Sequence, residues 1–187
     1  MACYDVMVDL ETTGTSPDYA GILQLSAVKF NLEKREIGEQ FDRCLLLPNS
    51  RFWQEDTRHW WGTQKVEVLS EILKRAEDPR TVMQAFADWC GYSHYEPLRF
   101  WSKPISFDWP FLQSYLKMFE IANPFHYRNA MDLNTFMRGV TNRSWVTPEV
   151  EYEFVGDAHN AIMDSINQIG VLFAAMDGKY KKVEHEV

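Results

Sequence analysis

Runs of two-residue period come first along this chain and helical periodicity follows, interleaved with two further short strands; this order belongs to an α/β domain. Tyr4 to Leu10 reads as a strand, with Val6, Val8 and Leu10 on one face and Met7 and Asp9 on the other, and Glu11 continues the Asp9 face. Turn residues in Thr12-Thr13-Gly14 and Ser16-Pro17-Asp18 lead to a second strand over Ile22 to Phe30, and Glu36 to Leu47 makes a third, so the chain opens as a meander. Beyond Pro48-Asn49-Ser50, the residues Trp60, Trp61, Val68, Leu69, Ile72 and Leu73 recur at helical spacing. Asp78-Pro79 opens another helix, with Val82, Met83, Phe86 and Trp89 on its apolar stripe and Gly91 as its stop. Leu98 to Ser102 is a fourth strand, Phe107 to Phe119 a helix and Asn129 to Leu133 a fifth strand, while Gly139 to Phe154 reads as a surface loop. Asp157 is the expected N-cap of a last helix whose buried face is Ile162, Ile166, Ile169, Leu172 and Phe173, and the charged tail from Asp177 to Val187 is expected to be solvated. With no internal repeat, low-complexity tract or linker, residues 1–187 are expected to form one domain.

The composition supports that expectation: 187 residues with 45% hydrophobic content can bury a full core without staples. Cys3, Cys44 and Cys90 are widely spaced and form no C-x-x-C pair, which fits free thiols in a reducing cytoplasm. The opening Met-Ala-Cys-Tyr-Asp lacks a basic region with a following apolar run, and no stretch of about 18 apolar residues occurs, so neither secretion nor membrane insertion is expected. A formal net charge of −8 argues against a protein that coats nucleic acid by counterion release. It remains compatible with an enzyme that holds a few nucleotides at a chain end, where divalent cations neutralise phosphates and aromatic rings stack bases.

In Asp9-Leu10-Glu11 the acids stand two apart on a strand, so the pleat sends both to one side, where a divalent cation can bridge them. Without a counterion their mutual repulsion raises the carboxylate pKa values. Asp9-Leu10-Glu11-Thr12-Thr13-Gly14 after an apolar strand resembles the first exonuclease motif of the DnaQ-like superfamily, and Ser106-Phe107-Asp108-Trp109-Pro110-Phe111-Leu112 resembles its second. His159-Asn160-Ala161-Ile162-Met163-Asp164 is similar to the third in its H-x-x-x-x-D form, the DEDDh type; the tyrosine that marks the alternative subclass would fall at Asn160. The resemblance implies that Asp9, Glu11 and Asp164 hold a first metal, with Asp9 shared and Asp108 helping to hold a second, and that His159 is the general base. In-line attack of water on a phosphodiester uses two cations about 4 Å apart, and carboxylate oxygens suit Mg²⁺ or Mn²⁺ rather than zinc. Five helical residues turn about 140° beyond a full circle, so His159 is expected in the first turn, with Asp164 entering the cleft from the next.

The resemblance also implies that the Thr12-Thr13 turn touches the terminal nucleotide; Phe107, just before Asp108, either supports the terminal base or sugar or packs in the core. His59-Trp60-Trp61-Gly62-Thr63-Gln64 resembles a Trp-Trp-x-x-Gln segment in a branch of the superfamily that includes the bacteriophage exonuclease DexA and a mycobacterial exoribonuclease group. Adjacent helical residues point about 100° apart, so one tryptophan stacks a base and the other enters the core; Trp61 is the one expected to stack. Two departures stand out: Leu10 replaces a common threonine, and Trp101-Ser102-Lys103-Pro104 replaces an asparagine-containing turn near the nucleotide. The expected fold is ribonuclease H-like α/β, a five-stranded mixed sheet in the order 3-2-1-4-5 flanked by helices. The expected activity is 3′-to-5′ exonucleolytic hydrolysis of single-stranded DNA or RNA to nucleoside 5′-monophosphates, DNA favoured. The competing reading is a binding or scaffolding module that keeps the fold without catalysis.

Overall fold

Six strands form one sheet in the order β4-β3-β2-β1-β5-β6 in the computed structural model, which describes residues 4–91, 97–142, 149–156 and 160–181. The antiparallel meander consists of β1 (Asp5–Thr12), β2 (Ile22–Asn31) and β3 (Glu36–Leu45). β5 (Arg99–Ser102) runs parallel to β1, and β6 (Ala130–Asp132) runs parallel to β5. The extra strand corrects the expected count of five: β4 (Ala76–Glu77) pairs parallel with Cys44 and Leu45 at the edge of β3. A strand of two residues cannot display a two-residue alternation, so the sequence pattern carried no trace of it. The other strands keep the expected order.

β1 lies inside the sheet and is covered on both faces. Val6, Val8 and Leu10 pack against Val82, Met83 and Phe86 of α3 (Pro79–Cys90) and against Phe111, Leu112 and Tyr115 of α4 (Ile105–Met118). Met7, on the opposite face, packs with Leu133 and Met137 of α5 (Leu133–Val140) and with Ile169 and Leu172 of α6 (Ala161–Met176). Side chains alternate across a strand, so Asp9 and Glu11 share the α6 side of β1 with Met7. The helical spacing between Trp60 and Leu73 divides into α1 (Glu55–Thr63) and α2 (Val66–Lys74), which add a smaller core of Leu23, Cys44, Trp61 and Ile72.

At the far end of β1, the buried Asp5 accepts both arms of the Arg99 guanidinium at 2.6 Å and the Trp101 indole N–H at 2.7 Å, which ties β1 to β5. The strand read over Asn129 to Leu133 is present as β6, and α5 occupies the stretch between it and the expected loop. Asp132 stops β6 and caps α5, accepting from the Thr135 N–H at 2.7 Å, while its other oxygen accepts from Ile105 N–H at 3.1 Å at the start of α4. α6 begins at Ala161 with Asn160 at its N-cap; Asp157, the expected cap, lies outside the described residues. Ile162, Ile169 and Leu172 are buried as expected, whereas Ile166 and Phe173 are half-buried. Of the expected tail, residues 177–181 are described; they are largely exposed but paired, since Asp177 bonds Arg35, Tyr180 bridges Val150, and Lys181 N–H reaches the Glu149 carbonyl. No described helix is long and apolar enough to cross a membrane.

Because Asp132 serves two helix N-termini, Asp132→Ala is expected to lower stability by about 1 to 2 kcal/mol, the usual range for a lost cap. Urea denaturation reads this directly, and an unchanged midpoint would show that water replaces both bonds.

Candidate active site

The end of β1 presents Asp9 and Glu11 toward the first turn of α6, which carries Asp164. One carboxylate oxygen from each of these three residues lies within 4.8 Å of the others, close enough for a single cation to touch all three. Ala161 and Ser165, both fully buried, are small enough to let the start of α6 approach β1 this closely. Asp108 arrives from the first turn of α4 and is 2% exposed; its Oδ1 accepts the Leu10 N–H at 3.2 Å. It stands beside the three-oxygen cluster. Both helices direct their N-termini, the positive ends of their dipoles, toward the carboxylates.

The electrostatics are those of a site short of positive charge. The Glu11 carboxyl is pushed up to about 9, first by burial and then by the charges of Asp9, Asp164 and Asp108. Asp9 is raised to about 7 by burial and by Asp164, with the Gln168 hydrogen bond and the Lys103 charge acting in the opposite direction. Burial, followed by the charge of Asp9, also holds Asp108 well above the ordinary carboxylate range. Crowded carboxylates whose repulsion is only partly offset by Lys103 fit a divalent metal, whose charge would favour their ionised forms. An all-oxygen donor set suits a hard cation.

Gln168, one turn beyond Asp164 on α6, donates its Nε2–H to Asp9 Oδ1 at 2.8 Å. The sequence reading passed over this residue, whose signal was its i+4 spacing from Asp164. The turn after Glu11 is braced from outside. Gln54 N–H donates to the Thr13 carbonyl at 2.9 Å, and the Gln54 side chain occupies the space that a Cβ at Gly14 would fill. The buried Arg51 donates to the Pro17 and Ala20 carbonyls and to the Ser114 hydroxyl, holding the next loop against α4.

Two expected substrate contacts have structural work instead. Trp61 is 3% exposed, packs with Leu23, Cys44 and Ile72, and donates its Nε1–H to the Thr12 carbonyl at 3.1 Å, so its ring cannot stack a base. Thr13 is fully buried; its hydroxyl donates to the Phe52 carbonyl and accepts from Gly21 N–H, both at 2.7 Å. The neighbouring Trp60 is 39% exposed and, with Glu11, Thr12, Thr57 and Phe107, lines an open cavity of about 330 Å³. Thr12 and Phe107 thus border a cavity shared with Glu11. His159, expected beside this cluster, lies outside the described residues.

A mixed sheet carrying an acidic cluster at the end of its central strand, with aromatic side chains beside it, defines the class: this is a DnaQ-like 3′-5′ exonuclease with a ribonuclease H-like fold. Residues 4–176 match the 3′-5′ exoribonuclease Rv2179c-like domain, and the chain belongs to that family. It is 29% identical over 182 residues to the 3′-5′ DNA exonuclease Cap18 of Escherichia coli, covering 92% of this chain and 90% of that protein. Among solved structures, the E. coli ExoI–ssDNA complex in its zinc-bound form superposes with a TM-score of 0.71 at 14% identity, over 94% of this chain and 40% of that one. Cell-death related nuclease 4 superposes with a TM-score of 0.69 at 18% identity, over 95% and 64%. The nuclease domain of 3′hExo, a DEDDh family member bound to rAMP, gives 0.61 at 14% identity over 96% of each chain. These distant structures share the fold, and the chain spans about two fifths of the ExoI chain and under two thirds of nuclease 4.

Two outcomes follow from the geometry. In the metal-free protein, Glu11 holds its proton to about pH 9 when folded but releases it near 4.5 when unfolded, so stability falls as pH rises between these values. Thermal melts in EDTA at pH 5 and pH 9 are expected to show this fall, and Glu11→Gln to flatten it; equal slopes would remove Glu11 as its source. Trp61→Ala is expected to cost about 3 to 5 kcal/mol of stability, as for other buried aromatic truncations. Trp60→Ala should cost far less in the same denaturation experiment, and a reversed ranking would overturn the division between the two rings.

Proposed function

We propose that this enzyme removes nucleotides stepwise from the 3′ end of a single strand, releasing nucleoside 5′-monophosphates, with DNA as its preferred substrate. The observation that carries the reading is the juxtaposition of the Asp9, Glu11 and Asp164 oxygens with the cavity lined by Trp60 and Phe107, Glu11 belonging to both. Preference for DNA rests on similarity over nearly the whole chain to a protein described as a DNA exonuclease, whereas the family description names an exoribonuclease. The sugar specificity is therefore an outcome of the test.

Asp9, Glu11 and Asp164 would hold one Mg²⁺ or Mn²⁺, and Asp108 with Asp9 would help to hold a second. Bound there, two such ions supply an activated water and neutralise charge on the attacked phosphate and the leaving oxygen. The chain's own residues provide the rest. Trp60 stacks a base, Phe107 supports the terminal nucleoside, and the backbone of the Thr12 turn, held by Trp61, borders the same cavity. His159 takes the proton of the attacking water, a role for which neutral imidazole is suited near physiological pH.

Matched 3′- and 5′-labelled DNA and RNA single strands, incubated with Mg²⁺ or Mn²⁺ and then with EDTA, test the proposal. Laddering from the 3′ end, faster on DNA and abolished by EDTA, is expected. Binding without shortening would favour a non-catalytic module. Asp9→Asn and Asp164→Asn should nearly abolish turnover, and His159→Ala should lower kcat by roughly a hundredfold to ten-thousandfold without altering Mn²⁺ affinity. Trp60→Ala should raise KM more than it lowers kcat, because stacking is present in both ground and transition states.

A further inference from the structure

Resting on the metal-dependent reading above, we infer that Gln168 is a positioning residue for the cation site, aiming the Asp9 carboxylate from α6. Asp9 sits on β1 and Asp164 on α6, so a cation between them joins two elements whose side chains must arrive in register. Gln168 follows Asp164 by four residues and therefore emerges on nearly the same helix face, one turn further on. Its Nε2–H donates to Asp9 Oδ1 at 2.8 Å, a length typical of a well-formed bond to a carboxylate.

The other end of the amide strengthens the assignment. Gln168 Oε1 is buried and has no hydrogen-bond partner among the described residues. A glutamine kept only for packing would gain by satisfying both ends or by yielding to an apolar residue of the same length, since an unpaired buried acceptor is unfavourable. Here only the donor is engaged, and its partner is the carboxylate that the proposed mechanism shares between cations. An amide facing an ionised carboxylate must present its N–H, so the bond restricts rotation of the Asp9 carboxylate. It occupies one lone pair of Oδ1 and leaves Oδ2 and the remaining Oδ1 lone pair for metal. The same helix thereby contributes a ligand, Asp164, and the group that orients the ligand opposite it.

The test is direct Mn²⁺ binding to the full chain, measured by calorimetry and by the paramagnetic resonance signal of free Mn²⁺, beside melts in EDTA. Gln168→Met keeps the side-chain length and removes the donor; Gln168→Asn keeps an amide that is one bond too short to reach. Both variants are expected to raise the Kd for Mn²⁺ by about tenfold to a hundredfold, the usual cost of losing a group that orients a metal ligand. The metal-free melting temperature of the Met variant should be unchanged or higher, because the unpaired oxygen is gone. Activity should shift to higher Mn²⁺ concentration in parallel with the Kd. If Gln168→Met fails to fold, the Asn variant is read alone. Wild-type protein that binds no Mn²⁺ would overturn the metal reading itself. Wild-type binding with variant affinities within twofold of it would overturn only the role of Gln168.

Discussion

Carboxylates from β1, α4 and α6 converge at one end of the central strand, where burial and like charge make the ionised forms of Asp9, Glu11 and Asp108 costly. Much of the architecture can be understood as the means of holding that arrangement. The strand bearing Asp9 and Glu11 is supported by apolar layers on both faces, so its end cannot swing away to relieve the repulsion. Two helix N-termini, the Leu10 N–H and the Gln168 amide supply partial positive charge from fixed positions. A divalent cation would complete the compensation, which makes metal affinity and folding stability linked properties of the same few side chains.

Around this centre, neighbouring residues divide support from contact. Trp60 and Trp61 are adjacent on α1, yet the rotation between successive helical residues sends one ring to the cavity and the other into the core, where its N–H holds the Thr12 carbonyl. Thr12 and Thr13 divide in a similar way: one borders the cavity, and the other spends its hydroxyl on backbone groups of two loops. The turn that follows Glu11 therefore has a fixed shape before any substrate arrives, and such preorganisation lowers the entropic cost of binding.

Asp5 and Asp132 show how acids outside the motifs are used. Asp5, itself buried, closes an ion pair with the half-exposed Arg99 and receives the Trp101 indole, joining β1 to β5 at the end away from the carboxylate cluster. Asp132 brackets the starts of α4 and α5 and so fixes the helix that delivers Asp108. Neither side chain remains available as a ligand, in keeping with their absence from the motifs.

The amino-acid sequence alone determined the α/β class, the order of the longer strands and the grouping of Asp9 with Glu11, because these follow from local periodicity and from motif spacing along one chain. The two-residue β4 escaped notice for want of length, and α5 because its short helical run follows directly after a strand. Tertiary structure decided what depends on neighbours distant in sequence: the meeting of Asp164 with β1, the hydrogen bond from Gln168 across 159 positions, and the burial of Trp61 rather than Trp60. Periodicity establishes that adjacent helical residues face different ways, but which face becomes core depends on the surface that packs against it. For α1 that surface is built by Leu23, Cys44 and Ile72, which come from β2, β3 and α2 and become neighbours of Trp61 only in the folded chain.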